Sequence, residues 1–452
     1  MYKQMRQYFS SGATNPYDFR KAQLQKLRSV IQQNEKAIIE ALYKDLHKSP
    51  EEAYSTEIGF IYTEISHVLK HLKSWMSAEN VSTPLLLFPS SSKIVTEPLG
   101  VVLIIAPWNY PFQLLMAPLI GAIAGGNCAV LKPSEMTPAT AELIEHLVTS
   151  IFDTNFLTVV QGDGAEVVPR IMNSFRFDHV FFTGSIPVGK EIAKLAAPQL
   201  VPTTLELGGK SPCIVDADAN IKVAAQRIAW GKFTNVGQTC VAPDYLLVHE
   251  SRKDELVSQM QQSITSFYGQ DPRQSRDYGR IINAGRYKKL ESFLHQGDII
   301  SGGQTKEDEH YIAPTLMHNV ATDQPIMQEE IFGPILPIYT FREHDEAVEM
   351  IKAHSNPLAL YVFTENDKTA QRYVDEVPFG GGCINNTLMH LANADLPFGG
   401  VGNSGVGAYH GKYSFETFTR KKSILKTATW VDPKVKYPPY AGKLKFLKWF
   451  MK

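Results

Sequence analysis

Of the four cysteines in this 452-residue chain, Cys240 has the surroundings best suited to chemistry. It lies in Asn235-Val236-Gly237-Gln238-Thr239-Cys240-Val241-Ala242-Pro243, which reads as a loop between a helix and a strand. A thiolate in such a loop can add to a carbonyl carbon and then hold an acyl group as a thioester. The plainer alternative is a buried structural cysteine, the usual fate of a single Cys. Cys128, Cys213 and Cys383 stand in apolar strand patterns and read as core. Glu206, in Thr-Leu-Glu-Leu-Gly-Gly-Lys, places an acid inside an apolar strand. Partial burial should raise its pKa, the condition for a general base near neutral pH; a simple ion pair with Lys210 is the alternative. Asn109 follows an apolar strand and precedes a helix. Its amide can donate to an oxyanion, with the backbone N–H of Cys240 as a second donor. Helix capping beside Pro111 is the structural alternative.

A phosphate-binding turn is the next signal. In Phe182-Thr183-Gly184-Ser185-Ile186-Pro187-Val188-Gly189 a strand ends in Gly-Ser at a helix start. Backbone N–H groups and the helix dipole can meet a pyrophosphate there. Gly162-Asp163-Gly164-Ala165-Glu166-Val167 has the first two glycines of a dinucleotide fingerprint but Val167 in the third place, so it is weak by itself.

The elements that must position these residues follow from periodicity. Helical spacing covers 19–48 and 57–75, with Pro50 between them. From residue 101, apolar strands at 101–106, 128–132, 157–161 and 179–183 alternate with helices at 111–124, 137–152, 165–173 and 187–197. That alternation predicts a parallel sheet covered on both faces, with ligands at the carboxyl ends of its strands. A second series has strands at 212–215, 245–249, 335–339, 358–364 and 382–385, with Pro337 either arguing against the third as a strand or placing it at a sheet edge. A last strand at 422–428 lacks a sequence neighbour and is expected to pair with 92–98 or with another subunit. The expected fold is α/β, with two modules joined near 206–212 and a cleft between them.

Composition narrows the partners. Lys+Arg at 45 against Asp+Glu at 46 offers no basic excess for nucleic acid. The scattered cysteines signal neither a disulfide framework nor a metal site, and the N-terminus lacks a signal-peptide pattern. A cytoplasmic enzyme without a metal is expected.

Seven segments in order resemble the aldehyde dehydrogenase superfamily. They are Pro107-Trp108-Asn109-Tyr110-Pro111, Lys132-Pro133-Ser134-Glu135, Phe182 to Gly189, Leu205 to Lys210, Gly237-Gln238-Thr239-Cys240, Glu329-Glu330-Ile331-Phe332-Gly333-Pro334 and Pro397-Phe398-Gly399-Gly400. The length, Pro397 to Gly405 and Tyr437 to Tyr440 are similar to its class 3 branch, which includes the fatty and aromatic aldehyde dehydrogenases.

That resemblance implies NAD(P)-dependent oxidation of medium- or long-chain aliphatic or aromatic aldehydes to carboxylic acids. It also implies a Rossmann-like cofactor domain, a second α/β catalytic domain and a small β oligomerisation element. The boundaries would be 1–206 for NAD(P) binding (with 86–100 projecting into the oligomerisation element), 207–395 for the catalytic domain, and 396–452 for a return segment, oligomerisation strand and tail. Cys240 would be the nucleophile, Asn109 the oxyanion donor, and Glu206 the activator of the hydrolytic water. Trp108, Gly184, Ser185 and Gly189 would meet the cofactor, Ser185 through its pyrophosphate. Lys132 and Glu135 would hold the adenine ribose, where an acid favours the free 2′-hydroxyl of NAD without excluding NADP. Glu330 and Phe332 would hold the nicotinamide ribose and ring, although a solvated acidic loop is the commoner fate of Glu329-Glu330. Tyr110, Phe60, Trp230 and His390 are candidate walls of a substrate tunnel. Asn385 and Asn386 could line the site or simply make a turn. A homodimer is implied. The basic and apolar tail from Lys443 to Lys452 suits either weak contact with an anionic membrane surface or packing on the protein. A CoA-acylating enzyme and a catalytically silent relative are the alternatives, and both sit poorly with an intact Asn109, Glu206 and Cys240.

Overall fold

The computed structural model describes residues 1–451. Of the basic and apolar tail, Lys452 and the side chain of Phe450 lie outside the described residues. The rest of it forms a short helix, Leu444–Phe450. Among the described residues, no helix is long and apolar enough to cross a membrane.

The N-terminal helices are more broken than their periodicity predicts. The first is split into Tyr17–Gln33 and Glu35–Leu46 at Asn34, whose side chain donates to the Val30 carbonyl at 2.8 Å. Such local side-chain bonds compete with the helix ladder. Pro50 begins a helix instead of only separating two, because its missing N–H is harmless in a first turn. Ser49 caps Pro50–Ala53, a π-turn follows at Tyr54–Ile58, and the long helix Gly59–Trp75 continues from it.

The six-stranded sheet runs in the order Gly405–Val406, Thr203–Glu206, His179–Thr183, Val101–Ile105, Cys128–Lys132, Leu157–Val159. Its last five strands are parallel, and the chain moves outward from Val101–Ile105 first one way and then the other. That reversal makes a topological switch point between Val101–Ile105 and His179–Thr183, where a doubly wound sheet opens a crevice. The helix Gln113–Gly125 leaves this point buried along its whole length. Gly405–Val406 closes the far edge, antiparallel to Thr203–Glu206, with Gly405 opposite Glu206.

The second sheet has seven strands: Asp298–Ser301, Thr315–His318, Ile335–Phe341, Tyr245–His249, Pro212–Val215, Ala359–Phe363 and Gly381–Ile384. Pro337 is therefore interior to the sheet and not at its edge. It falls where the ladder changes neighbour: residues up to Pro337 pair with Thr315–His318, and those from Ile338 pair with Tyr245–His249. Cys128 and Cys213 are core, but Cys383 is half-buried because its strand is the sheet's outer edge.

A third, antiparallel sheet joins Glu79–Val81, Ser90–Pro98 and Thr419–Thr427. The last strand pairs within its own chain, from Thr419 opposite Pro98 to Thr427 opposite Ser90. Most of Thr419–Thr427 remains exposed.

Candidate active site

Cys240 stands in the loop between helix Ile221–Phe233 and strand Tyr245–His249, half-buried. The chain reaches it through three successive left-handed residues, Asn235 (φ 52°), Val236 (φ 56°) and Gly237 (φ 72°). A β-branched residue in that region is strained, and such strain persists only where the surroundings over-determine it. Here they do. Asn235 Nδ2 donates to the carbonyls of Asn109 (2.9 Å) and Gln238 (3.1 Å). The buried Gln238 side chain donates to Arg280 O (3.1 Å) and accepts from Ile282 N (3.0 Å). A Cβ on Gly237 would sit 2.3 Å from Gly333 O, so only glycine fits. Beyond the cysteine, Tyr361 donates its hydroxyl to Val241 O at 2.6 Å.

Asn109 is buried, and its Nδ2 donates to Gln238 O at 3.1 Å. The amide nitrogen carries two hydrogens, so one donor remains. Asn109 does not cap the following helix; the Glu57 carboxylate does, accepting from Phe112 N (2.9 Å) and Gln113 N (3.1 Å). Lys48 pairs with Glu57 and donates to Asn109 O at 3.1 Å, with its ammonium 4.0 Å from the Tyr110 ring centre. The Tyr110 hydroxyl lies 2.6 Å from Thr239 Oγ1, next in sequence to Cys240.

Glu206 ends its strand, buried, with neither carboxylate oxygen hydrogen-bonded. Lys210 is not its partner. It pairs with Asp244 at 2.5 Å and donates to the carbonyls of Ile326 and Glu329. Burial without compensation pushes the Glu206 carboxyl well above the usual carboxylate range. The Cys240 thiol is pushed up to about 12, by burial first and then by the Glu330 and Glu206 carboxylates.

Two hollows meet at these residues. A cleft of about 590 Å³ at the switch point is lined by Trp108, Asn109, Gly184, Ser185, Glu330 and Phe332, together with Gly208, Lys210 and Arg286. A second cavity, about 300 Å³, is lined by Phe60, Tyr110, Trp230, Leu114, Met389 and Phe398 among others. Cys240, Glu206, Thr183, Leu114 and Leu207 line both. In the cleft, Phe332 (φ 51°) meets Trp108 edge to face at 5.3 Å. Glu330 presses on Gly208, where a Cβ would lie 2.0 Å from Glu330 Oε2. Its carboxyl is raised to about 8 by burial and by Asp244. Ser185 precedes helix Ile186–Ala196 without using its hydroxyl as a cap.

Three other expected cofactor residues lie outside the cleft. Gly189 packs against Leu207, which a Cβ there would meet at 2.5 Å. Lys132 donates to Glu135 at 2.9 Å at the carboxyl end of the neighbouring strand, and Gly164 lies beside the pair. His390 is not part of the second cavity's wall. Its ring stacks on Phe398 and touches Cys383 Sγ at 3.5 Å, while its neighbours Met389 and Leu391 line the space. Asn385 makes a turn, exchanging hydrogen bonds with the Thr364 backbone.

The aldehyde dehydrogenase family model matches residues 1–424. The chain belongs to the aldehyde dehydrogenase family. It is 54% identical over 447 residues to the 4,4'-diaponeurosporen-aldehyde dehydrogenase of Staphylococcus aureus, covering 98% of this chain and 97% of the relative. The dimeric NADP-preferring aldehyde dehydrogenase of Rattus norvegicus is 43% identical, with 98% of each chain covered. Among solved structures, the substrate-bound state of Staphylococcus aureus AldH superposes with a TM-score of 0.97 at 53% identity, covering 100% of this chain and 98% of that one.

In this aldehyde dehydrogenase, sequence reasoning missed the charged supports of the site. Lys48 and Glu57 underpin Asn109, and Lys210 with Asp244 pins the backbone before Glu330; Asp244 also accepts from Ile331 N at 3.0 Å. The available signal was charge on otherwise apolar helix faces and strand ends. Such charges are almost never fully buried unless paired.

Proposed function

We propose that this chain oxidises aldehydes to carboxylic acids through a thioester on Cys240. The observation that carries the reading is the shared wall: Cys240 and an unpartnered Glu206 border both hollows. The aldehyde occupies the apolar cavity, and its size and lining suit aliphatic or aromatic chains. Cys240 attacks the carbonyl carbon as the thiolate. The free hydrogen of the Asn109 amide and the Cys240 backbone N–H receive the oxyanion. Glu206 takes the proton from the water that hydrolyses the thioester, and its raised pKa suits it to that work.

The cleft fits a nicotinamide dinucleotide: Ser185 opens a helix start with its hydroxyl free, and Gly208 leaves room for Glu330. When bound there, the dinucleotide supplies the hydride acceptor. Ser185 would hold its pyrophosphate, Glu330 and Phe332 its nicotinamide end, and Lys132 with Glu135 its adenine ribose. Glu135 favours NAD, with NADP accepted. The exposed strand Thr419–Thr427 is the surface through which two copies pair as a homodimer.

A burst of NADH from hexanal or benzaldehyde, abolished by Cys240→Ala, tests the reading. No NADH from the wild-type protein across a broad aldehyde panel would sink it.

A further inference from the structure

The apolar cavity has a branch. A smaller hollow of about 160 Å³ shares Ser55, Phe60, Leu391, Ala392 and His410 with it and shares nothing with the cofactor cleft. Neither Cys240 nor Glu206 reaches this branch, so it lies away from the reacting carbon. Its rim, Ser55, Thr63 and Ala392, is exposed. The π-turn Tyr54–Ile58 brings Ser55 to that rim, and such turns concentrate at functional sites.

The floor of the branch is polar. Glu64 and His410 line it, each only 2% exposed. Glu64 Oε1 accepts from Gly411 N at 2.7 Å, and among the described residues its second oxygen has no hydrogen bond. The His410 ring packs against Phe60, Phe398 and Tyr409; one nitrogen faces the Leu391 backbone, and among the described residues neither makes a hydrogen bond of normal geometry. A phenyl ring would satisfy those aromatic neighbours equally well. With the Leu391 backbone facing one nitrogen, the other is left without a partner, which costs stability and calls for one from outside the chain.

We propose that this branch is a subsite for the far end of the aldehyde, and that it takes an uncharged, oxygen-bearing group, specifically a hydroxyl, received by His410 and Glu64. The proposal rests on the oxidation reading above. Burial holds His410 neutral, with its pKa down to about 3, and raises the Glu64 carboxyl to about 7. A neutral imidazole offers one donor and one acceptor, which is what a hydroxyl requires. A terminal carboxylate would face Glu64, and a terminal ammonium would be stripped of water beside an uncharged ring. A bare hydrocarbon end leaves the second nitrogen unmet.

The test pairs straight-chain aldehydes with their ω-hydroxy counterparts across a homologous series, using NAD and measuring kcat/KM for each pair on one preparation. The ratio within a pair cancels any difference in active fraction. At the chain length that spans the two hollows, the wild-type protein should favour the hydroxylated partner by about 10-fold, the worth of one net hydrogen bond. In His410→Phe and Glu64→Leu that ratio should fall to about 1. A wild-type ratio near one at every length overturns the subsite while leaving the oxidation reading intact. So does a ratio unmoved by either variant, or a stronger preference for ω-carboxylate or ω-ammonium aldehydes. No NADH from any aldehyde overturns both readings together. The wild-type series decides the matter even where a variant fails to fold.

Discussion

Lys48 donates to the backbone carbonyl of Asn109 at 3.1 Å while paired with Glu57, and the Glu57 carboxylate caps the helix that Asn109 precedes. One fully buried ion pair thus fixes Asn109 from both sides. Its value lies in geometry more than in stability, since buried pairs often do no better than apolar replacements.

Removing one partner is another matter. Lys48→Met should destabilise the protein by about 3–5 kcal/mol, because Glu57 is left charged and alone. It should also lower kcat by about 100-fold as Asn109 shifts. Adding Glu57→Gln, which keeps a neutral acceptor for the Phe112 and Gln113 N–H groups, should recover part of the stability in urea unfolding and little of the rate. A single variant as stable as wild type would refute the coupling.

The pH profile follows from Glu206 and Cys240, whose pKa values are both raised. The working forms are carboxylate and thiolate, and both appear as pH rises. The rate should therefore climb from acid through neutral into alkaline solution. In Glu206→Gln, a single burst of NADH should be followed by slow turnover, with the acyl group held on Cys240 and visible by intact-protein mass spectrometry. Rapid steady-state turnover in that variant would remove Glu206 from hydrolysis.

Cofactor choice should respond to Glu135. It is hydrogen-bonded by Lys132 at 2.9 Å where the adenine ribose is proposed to sit. Glu135→Ala removes the acid that opposes a 2′-phosphate and frees the Lys132 ammonium. The ratio of kcat/KM for NADP to that for NAD should rise by about 10-fold or more. An unchanged ratio would place the ribose elsewhere.

Stability should carry a signature of Glu64, whose folded pKa of about 7 exceeds its ordinary 4.5 because of burial. A raised folded pKa means that the protonated form is the one the fold prefers. Its contribution is complete below about pH 4.5 and is lost as pH rises through about 7. The difference amounts to roughly 3 kcal/mol. Glu64→Gln should flatten that part of the unfolding profile between pH 5 and 8, and a parallel profile would show that Glu64 is not responsible.

Much of the site was legible because local chemistry and local pattern agreed. Cys240 follows a Gly-containing loop, Ser185 opens a helix after an apolar strand, and every expected strand of both large sheets formed. What was hidden depends on distant partners. Lys48 meets Asn109 across 61 residues of chain, and Lys210 meets Asp244 across 34. No periodicity reports such pairings. His390 failed as a tunnel wall because the turn from Met389 to Ala392 aims its neighbours inward and leaves its ring on Phe398. Pro337 misled because an edge is one way to dispense with an N–H, and a change of ladder partner is another.

The strand that ends in Glu206 borrows its outer neighbour, Gly405–Val406, from near the end of the chain. On a ribosome, that edge stays open while the whole seven-stranded sheet is still being made. The loop that carries Cys240 and the strand after it are complete long before the wall beside Glu206 is closed. An emerging chain therefore holds an unpaired strand edge for most of its synthesis, a template for wrong partners. Chaperone dependence should concentrate on this late clasp, and deleting Gly405–Val406 should reopen the edge.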